Sequence, residues 1–247
     1  PALAIDPYTN VKLPTARSWN GDTNTNWEDP ANWTPSGIPA SDDLVTIPAG
    51  TPRLAGAGSC GTLTIDSTAT LYIDSGATLA VANDSIVSGT LSISTGTFEA
   101  VGSFTASGGA VKFTGAGNLI LRGASPNLGT FTKGTGTVTY DGGTQLVPAN
   151  GDYYGIAFGG TGTKTAASLT ATTLSAPSGA YSLALNGACS ITNSCTFLNT
   201  GTLVLGDNAG DTFIFNGGVT ATTPSAVTLG GTVRTSGGAI IIGDFDT

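Results

Sequence analysis

The sequence contains no histidine and no methionine, and only three cysteines in 247 residues. Charge is scarce too: 8 Lys and Arg against 16 Asp and Glu, for a net charge of -8. Each shortage excludes something. Without His, the commonest general base and metal ligand at neutral pH is missing. No Ser or Cys triad built on His can form within the chain. With Glu, Lys and Arg rare and Met absent, a helical bundle lacks its helix formers. Eight scattered cations on an acidic chain leave no electrostatic footprint for nucleic acid. They also disfavour anionic membrane surfaces. No run approaches the ~20 apolar residues of a transmembrane helix, so membrane insertion is not expected.

What is abundant is glycine (37) and threonine (41). Hydrophobic residues make up 39% and recur throughout, which argues against disorder. Glycine has no period of three, so the chain is not collagen-like. Low Lys, many Thr, Ser, Gly and Asn, and an acidic balance suit an exported protein, extracellular or on a cell surface. The opening Pro1-Ala2-Leu3-Ala4 fits a processed mature chain or an excised fragment.

The chain divides into two unequal parts. Residues 1–50 are irregular and carry Trp19, Trp27 and Trp33 with seven of the twelve prolines. Residues 51–247 are a succession of short strand signals separated by Gly, Asn, Asp and Ser. Thr62-Leu63-Thr64-Ile65, Thr70-Leu71-Tyr72-Ile73, Thr78-Leu79-Ala80-Val81 and Thr90-Leu91-Ser92-Ile93 are typical. They read polar-apolar-polar-apolar, the period of a half-buried strand. Most begin 6–8 residues apart between Thr62 and Asn118, closer than sandwich strands usually stand. That spacing predicts an all-β chain, a parallel β-helix (β-solenoid). Three strands form a coil of roughly 20–24 residues, with about eight or nine coils over 51–247. A four-residue strand buries only two side chains and cannot offset its ordering entropy alone. Stacked coils complete one another's core. Around 150–175 the repeat weakens, and Gly151-Asp152-Tyr153-Tyr154 reads as a loop or inserted segment.

The N-terminal part resembles a segment of bacterial secreted and surface β-solenoid proteins. The residues that carry the resemblance are Ser18-Trp19-Asn20-Gly21, Trp27, Ala31-Asn32-Trp33 and Gly37-Ile38-Pro39. Asp42-Asp43-Leu44-Val45-Thr46-Ile47 follows, then Leu63-Thr64-Ile65-Asp66-Ser67 and Ile73-Asp74-Ser75-Gly76-Ala77-Thr78-Leu79. It covers roughly residues 18–95. It implies a right-handed parallel β-helix, export and an adhesin-like role, with the Trp-rich segment as an N-terminal cap. It carries over no catalytic residue. The cap reading also stands on physical grounds, because a solenoid end exposes strand edges and core that large rings can cover. The alternative for Trp19, Trp27 and Trp33 is a sugar-stacking platform.

Several clusters are candidates for chemistry. Asp22, Asn24, Asn26 and Glu28 alternate like the first half of a calcium loop but lack its Gly and distant Glu. We favour a solvated Asn/Asp turn there, with calcium as the alternative and no other cofactor expected. Gly206-Asp207-Asn208-Ala209-Gly210-Asp211 suits a corner. Asp42 and Asp43 precede a strand and suit the orienting of backbone amides, with a paired-carboxylate acid/base role as the alternative. Cys189 and Cys195, six apart, could close a disulfide, with two separate buried thiols as the alternative and Cys60 left over. Thr-x-Thr strings recur too irregularly for an ice-binding face. The cations show no coil-spaced Asp-Lys cluster of the kind β-helix polysaccharide enzymes carry. The apolar strand Ile240-Ile241-Ile242 with Phe245 has little after it to cover it, so either the natural chain continues or that end packs on another molecule, and the stretch from Pro1 to Pro14 could reach a neighbour by strand addition. The leading expectation is therefore a non-enzymatic, self-associating surface or filament subunit whose partners are copies of itself, head to tail. Alternatives are an adhesin module binding surface glycans through Trp or through Tyr153 and Tyr154, and a polysaccharide-degrading enzyme.

Overall fold

A computed structural model of the chain describes residues 13–149 and 152–243, with the backbone of 245–246. Among these residues there is no α-helix, only the 3-10 turn Pro30–Asn32. Strands pair almost entirely in parallel and stack as a β-solenoid of about 10 turns, with an irregular N-terminal segment. The chain forms two compact units, residues 13–119 with 127–132, and 120–126 with 133 onward.

In the first unit, Thr62–Ile73 joins two of the expected strands into one. Its two halves lie on different faces of the turn. Val45 stacks on Leu63 and Ile47 on Ile65 along one face. Leu71, Leu91 and Val111 stack along another, beside Ile73, Ile93 and Phe113. Leu79 stacks on Phe98, and Val81 on Ala100, along the third. All of these side chains are buried, while Thr62, Thr64, Thr70 and Thr97 between them are half-exposed. Alternation along each strand selects the inward residues, and repetition about every 20 residues puts apolar over apolar. Each buried Leu or Ile contributes about 1.5–3 kcal/mol that its own short strand could not retain alone.

The parallel stack begins earlier than residue 51. Ala16–Trp19 pairs in parallel with Leu44–Gly50, which pairs with Thr62–Ile73. Two strands of the stack thus lie before residue 51, within the otherwise irregular N-terminal segment.

The second unit also has three faces. Thr137–Tyr140, Asp152–Phe158, Leu169–Gly179, Cys189–Ile191, Thr212–Phe215 and Thr232–Arg234 form one. Gln145–Val147, Gly162–Ala166, Tyr181–Leu185, Leu203–Leu205, Val227–Leu229 and Phe245–Asp246 form the second. The end of Leu169–Gly179 continues the third, through Cys195–Asn199, Val219–Ala221 and Ile240–Ile242. Asp152-Tyr153-Tyr154 opens a strand here, contrary to the loop expected from its composition. Tyr153 is buried, and its hydroxyl lies 3.2 Å from that of Tyr140 and donates to the Pro148 carbonyl at 3.1 Å. The ring supplies the inward side chain that a loop would not need. Residues 150 and 151 lie outside the described residues.

Candidate functional site

The polar chemistry of the first unit gathers in the Trp-rich segment. Asn32 is fully buried and organises it. Its Oδ1 accepts from the backbone N–H of Thr23 and Asn24, and its Nδ2 donates to Asn24 Oδ1 and to the Asn26 carbonyl. Asn20 Oδ1 accepts from Asp22 N–H, Asn24 Oδ1 from Asn26 N–H, and Asn26 Oδ1 from Glu28 N–H. Glu28 Oε1 accepts from the N–H groups of Ala55 and Gly56. The alternating Asn and Asp residues are thus a chain of side-chain-capped turns. Among the described residues no group of three or more His, Cys, Asp or Glu is placed to hold a metal.

The three tryptophans pack edge to face. Trp19 and Trp33 lie 5.1 Å apart between centroids, and Trp27 and Trp33 4.7 Å. Trp33 Nε1 donates to the Trp27 carbonyl at 2.9 Å. Their exposures are 4%, 0% and 1% for Trp19, Trp27 and Trp33. None offers an open ring face, so the alternative of a stacking platform finds no exposed rings here; at 4% Trp19 is the least covered of the three. Tyr153 is likewise withdrawn from solvent, and Tyr154 alone of that pair is exposed.

Asp43 ties this segment to the first turns. Its Oδ2 accepts from Arg17 Nε at 2.5 Å and from Ala40 N–H at 3.0 Å, and Oδ1 accepts from Thr15 N–H. The Asp43 side chain is 0% exposed and that of Arg17 13%. Burial by itself would raise the Asp43 pKa, but the bonds from Arg17, Ala40 and Thr15 and the Arg17 charge hold it below its ordinary value. Of the pair Asp42 and Asp43, Asp43 is therefore committed to a buried ion pair.

Other cations join successive turns. Arg53 meets Asp74, Arg122 meets Asp141, and Lys133 meets Asp152, partners 19–21 residues apart. Lys164 is different: it is 1% exposed, and its ammonium donates to the carbonyls of Gly142, Gly143 and Thr161 at 2.9, 2.5 and 2.6 Å. Burial pushes its pKa down from the ordinary lysine value, with the Asp141 charge opposing. Gln145, in register beside it, donates to the Leu121 and Gly123 carbonyls and accepts from Gly142 N–H. A sequence signal existed for Lys164. Period-two alternation places it on the same face as Ala166, which is buried.

Cys60, Cys189 and Cys195 are free, buried thiols, which corrects the expected bridge between Cys189 and Cys195. Cys189 is in register with Leu169 and Phe213, whereas Cys195 is in register with Val219 on the next face. Each sulfur fills its own core ladder. Burial pushes Cys60 and Cys189 up to about 12, the Asp43 charge adding to Cys60, and raises Cys195 as well. These thiols remain protonated at neutral pH and suit neither nucleophilic attack nor metal ligation. Asp207, Asn208 and Asp211 form a corner, Asp211 Oδ2 accepting from the N–H groups of Asp207 and Asn208.

In the last turn, Ile240 is in register with Val219, and Ile242 with Ala221. The earlier pair is buried, yet Ile240 is 46% and Ile241 49% exposed. Ile240–Ile242 and Thr232–Arg234 each pair along one edge only among the described residues. The side chain of Phe245 and residues 1–12 lie outside the described residues, and with them the rest of that expected contact and most of the Pro1–Pro14 stretch.

Fold and site together define a β-solenoid in which Arg53, Arg122, Lys133, Lys164 and Gln145 join successive turns. A family model described as a domain of unknown function, DUF8693, matches residues 18–98, about a third of the chain and the same stretch that carries the resemblance. No curated protein and no solved structure matches the chain. No helix among the described residues is long and apolar enough to cross a membrane.

Proposed function

We propose that the chain is a non-enzymatic structural solenoid of a secreted or surface-exposed bacterial protein, adhesin-like in kind, which associates with copies of itself through its last turn. The observation that carries this reading is that Ile240, an inward position of the core ladder, stands 46% exposed beside strand edges without a described partner. An open core and unpaired backbone groups favour addition of a further turn. At the other end, Trp27 N–H donates to the Arg53 carbonyl, Arg53 N–H to the Thr25 carbonyl, and Glu28 accepts from Ala55 and Gly56. The Trp-rich segment thereby acts as a cap that covers part of the first turns' edge. A contact between last turn and capped end is heterologous and gives an open filament rather than a closed dimer.

The role of the cations supports a structural reading over an enzymatic one. Arg17, Arg53, Arg122, Lys133 and Lys164 all hold protein groups. Sedimentation velocity over a concentration series tests the proposal. Wild type is expected to grow beyond the 24.3 kDa chain as concentration rises, and Ile240→Lys/Ile241→Lys to remain at that mass. A wild type that stays monomeric at every concentration overturns self-association. Growth that stops at the dimer overturns the head-to-tail arrangement.

A further inference from the structure

The Trp-rich segment and the strand Leu44–Gly50 enclose a groove of about 430 Å³ lined by Trp19, Asn20, Asn24, Thr25, Pro48 and Thr51, with Gly21, Ala49 and Gly50. Trp19 is 4% exposed. Its Nε1 makes no hydrogen bond among the described residues, in contrast to the bonded Trp33 Nε1. Two glycines keep that N–H open. Gly21 has φ +64° and Gly50 φ +87°, and a Cβ on them would lie 2.9 and 3.3 Å from Nε1. Both therefore hold the left-handed backbone that glycine favours and leave bare the space a side chain would take.

An indole N–H can only donate, so its complement is an oxygen acceptor. No Asp, Glu, Lys or Arg lines the groove, so the complement carries no charge. Pro48 and Ala49 offer apolar contact beside the hydroxyls of Thr25 and Thr51. The volume lies at the small end of ligand sites and is far too small for a protein interface. We infer that this groove is a binding site for a neutral saccharide, one sugar hydroxyl accepting from Trp19 Nε1 while C–H groups of the ring rest on Pro48 and Ala49. Recognition is through the edge of Trp19, not through a stacked face. This inference does not depend on self-association through the last turn.

The three indole N–H signals in a ¹H–¹⁵N spectrum provide the test, with maltotriose, cellotriose and chitotriose as probes. The Trp19 signal, identified by its loss in Trp19→Phe, is expected to shift saturably with at least one sugar, and the Trp27 and Trp33 signals to move little. Trp19→Phe should weaken binding about tenfold, the worth of one hydrogen bond from a desolvated donor. Thr51→Val, exposed and outside the core, keeps the fold and should weaken the same sugar. No saturable shift with any of the three sugars, or equal binding by wild type and both variants, overturns the inference.

Discussion

Asp43→Asn is expected to lower the stability of the first unit by about 3–5 kcal/mol, the scale for removing one charge from a buried pair. Arg17 then keeps its guanidinium in a site where only 13% of the side chain meets solvent, without the carboxylate it faces. The new amide keeps one acceptor oxygen and presents N–H groups at the other position, where either Thr15 N–H, or Ala40 N–H and Arg17 Nε together, require an acceptor. The segment at Thr15–Arg17 and the one at Ala40 no longer share a full set of acceptors. Replacing both members, Asp43→Leu with Arg17→Met, should cost less than the sum of the single losses, because no charge is left buried alone. Urea denaturation of wild type, Asp43→Asn, the single variants Asp43→Leu and Arg17→Met, and the double variant measures this. A single-variant loss under about 1 kcal/mol, the worth of an exposed pair, would contradict the role given to Asp43.

The same pair sets an acid dependence. The Asp43 carboxyl is held below its ordinary value of 3.8 in the folded chain. Its contribution is therefore complete above that value and is lost as pH falls from there through the lower folded value. Asp43→Asn should flatten this part of the stability profile, and the profiles of wild type and variant should converge in strong acid.

Lys164→Met is the second large expected effect, a loss of about 3–5 kcal/mol. The substitution keeps the volume of the side chain but removes the donors for three carbonyls, and each buried unpaired group costs about 1–3 kcal/mol. A buried ion pair can be exchanged for apolar residues at little cost when both partners go. Here the partners are backbone oxygens of Gly142, Gly143 and Thr161, which no side-chain substitution removes. Lys112→Met, at an exposed position, serves as the control and should lie within about 0.5 kcal/mol of wild type. A neutral Lys164→Met would mean that the carbonyls find water and that the lysine is not structural.

Much of the solenoid was legible because its signal is local. In Thr70-Leu71-Tyr72-Ile73 or Thr97-Phe98-Glu99-Ala100, alternation states which residues point inward, and short spacing leaves room only for corners. The first strand was obscured, because Ala16–Trp19 lies among prolines and tryptophans that read as irregular chain. Asp152–Phe158 was obscured by turn-like composition at its start, although Tyr153 and Ile156 pack inward. The site residues were harder still. Asp43 and Arg17 are 26 residues apart, and Asn32 finds its four partners within one compact loop. Such bonds follow from tertiary placement and have no period to reveal them. The spacing of Cys189 and Cys195 allowed a bridge, but spacing does not state that two faces of one turn separate their ladders.

Parallel stacking of successive turns underlies every assignment above, and a single cross-link tests it most directly. Ser75 Oγ and Thr95 Oγ1 lie 2.6 Å apart on neighbouring turns at an exposed corner. Adjacent parallel strands are about 4.8 Å apart, within the range a disulfide spans. In Ser75→Cys/Thr95→Cys, mild oxidation of the folded protein should join these two positions, as peptide mapping would show, and leave the buried Cys60, Cys189 and Cys195 reduced. Failure of positions 75 and 95 to join in a protein that retains its native spectrum would contradict the stacked-turn account.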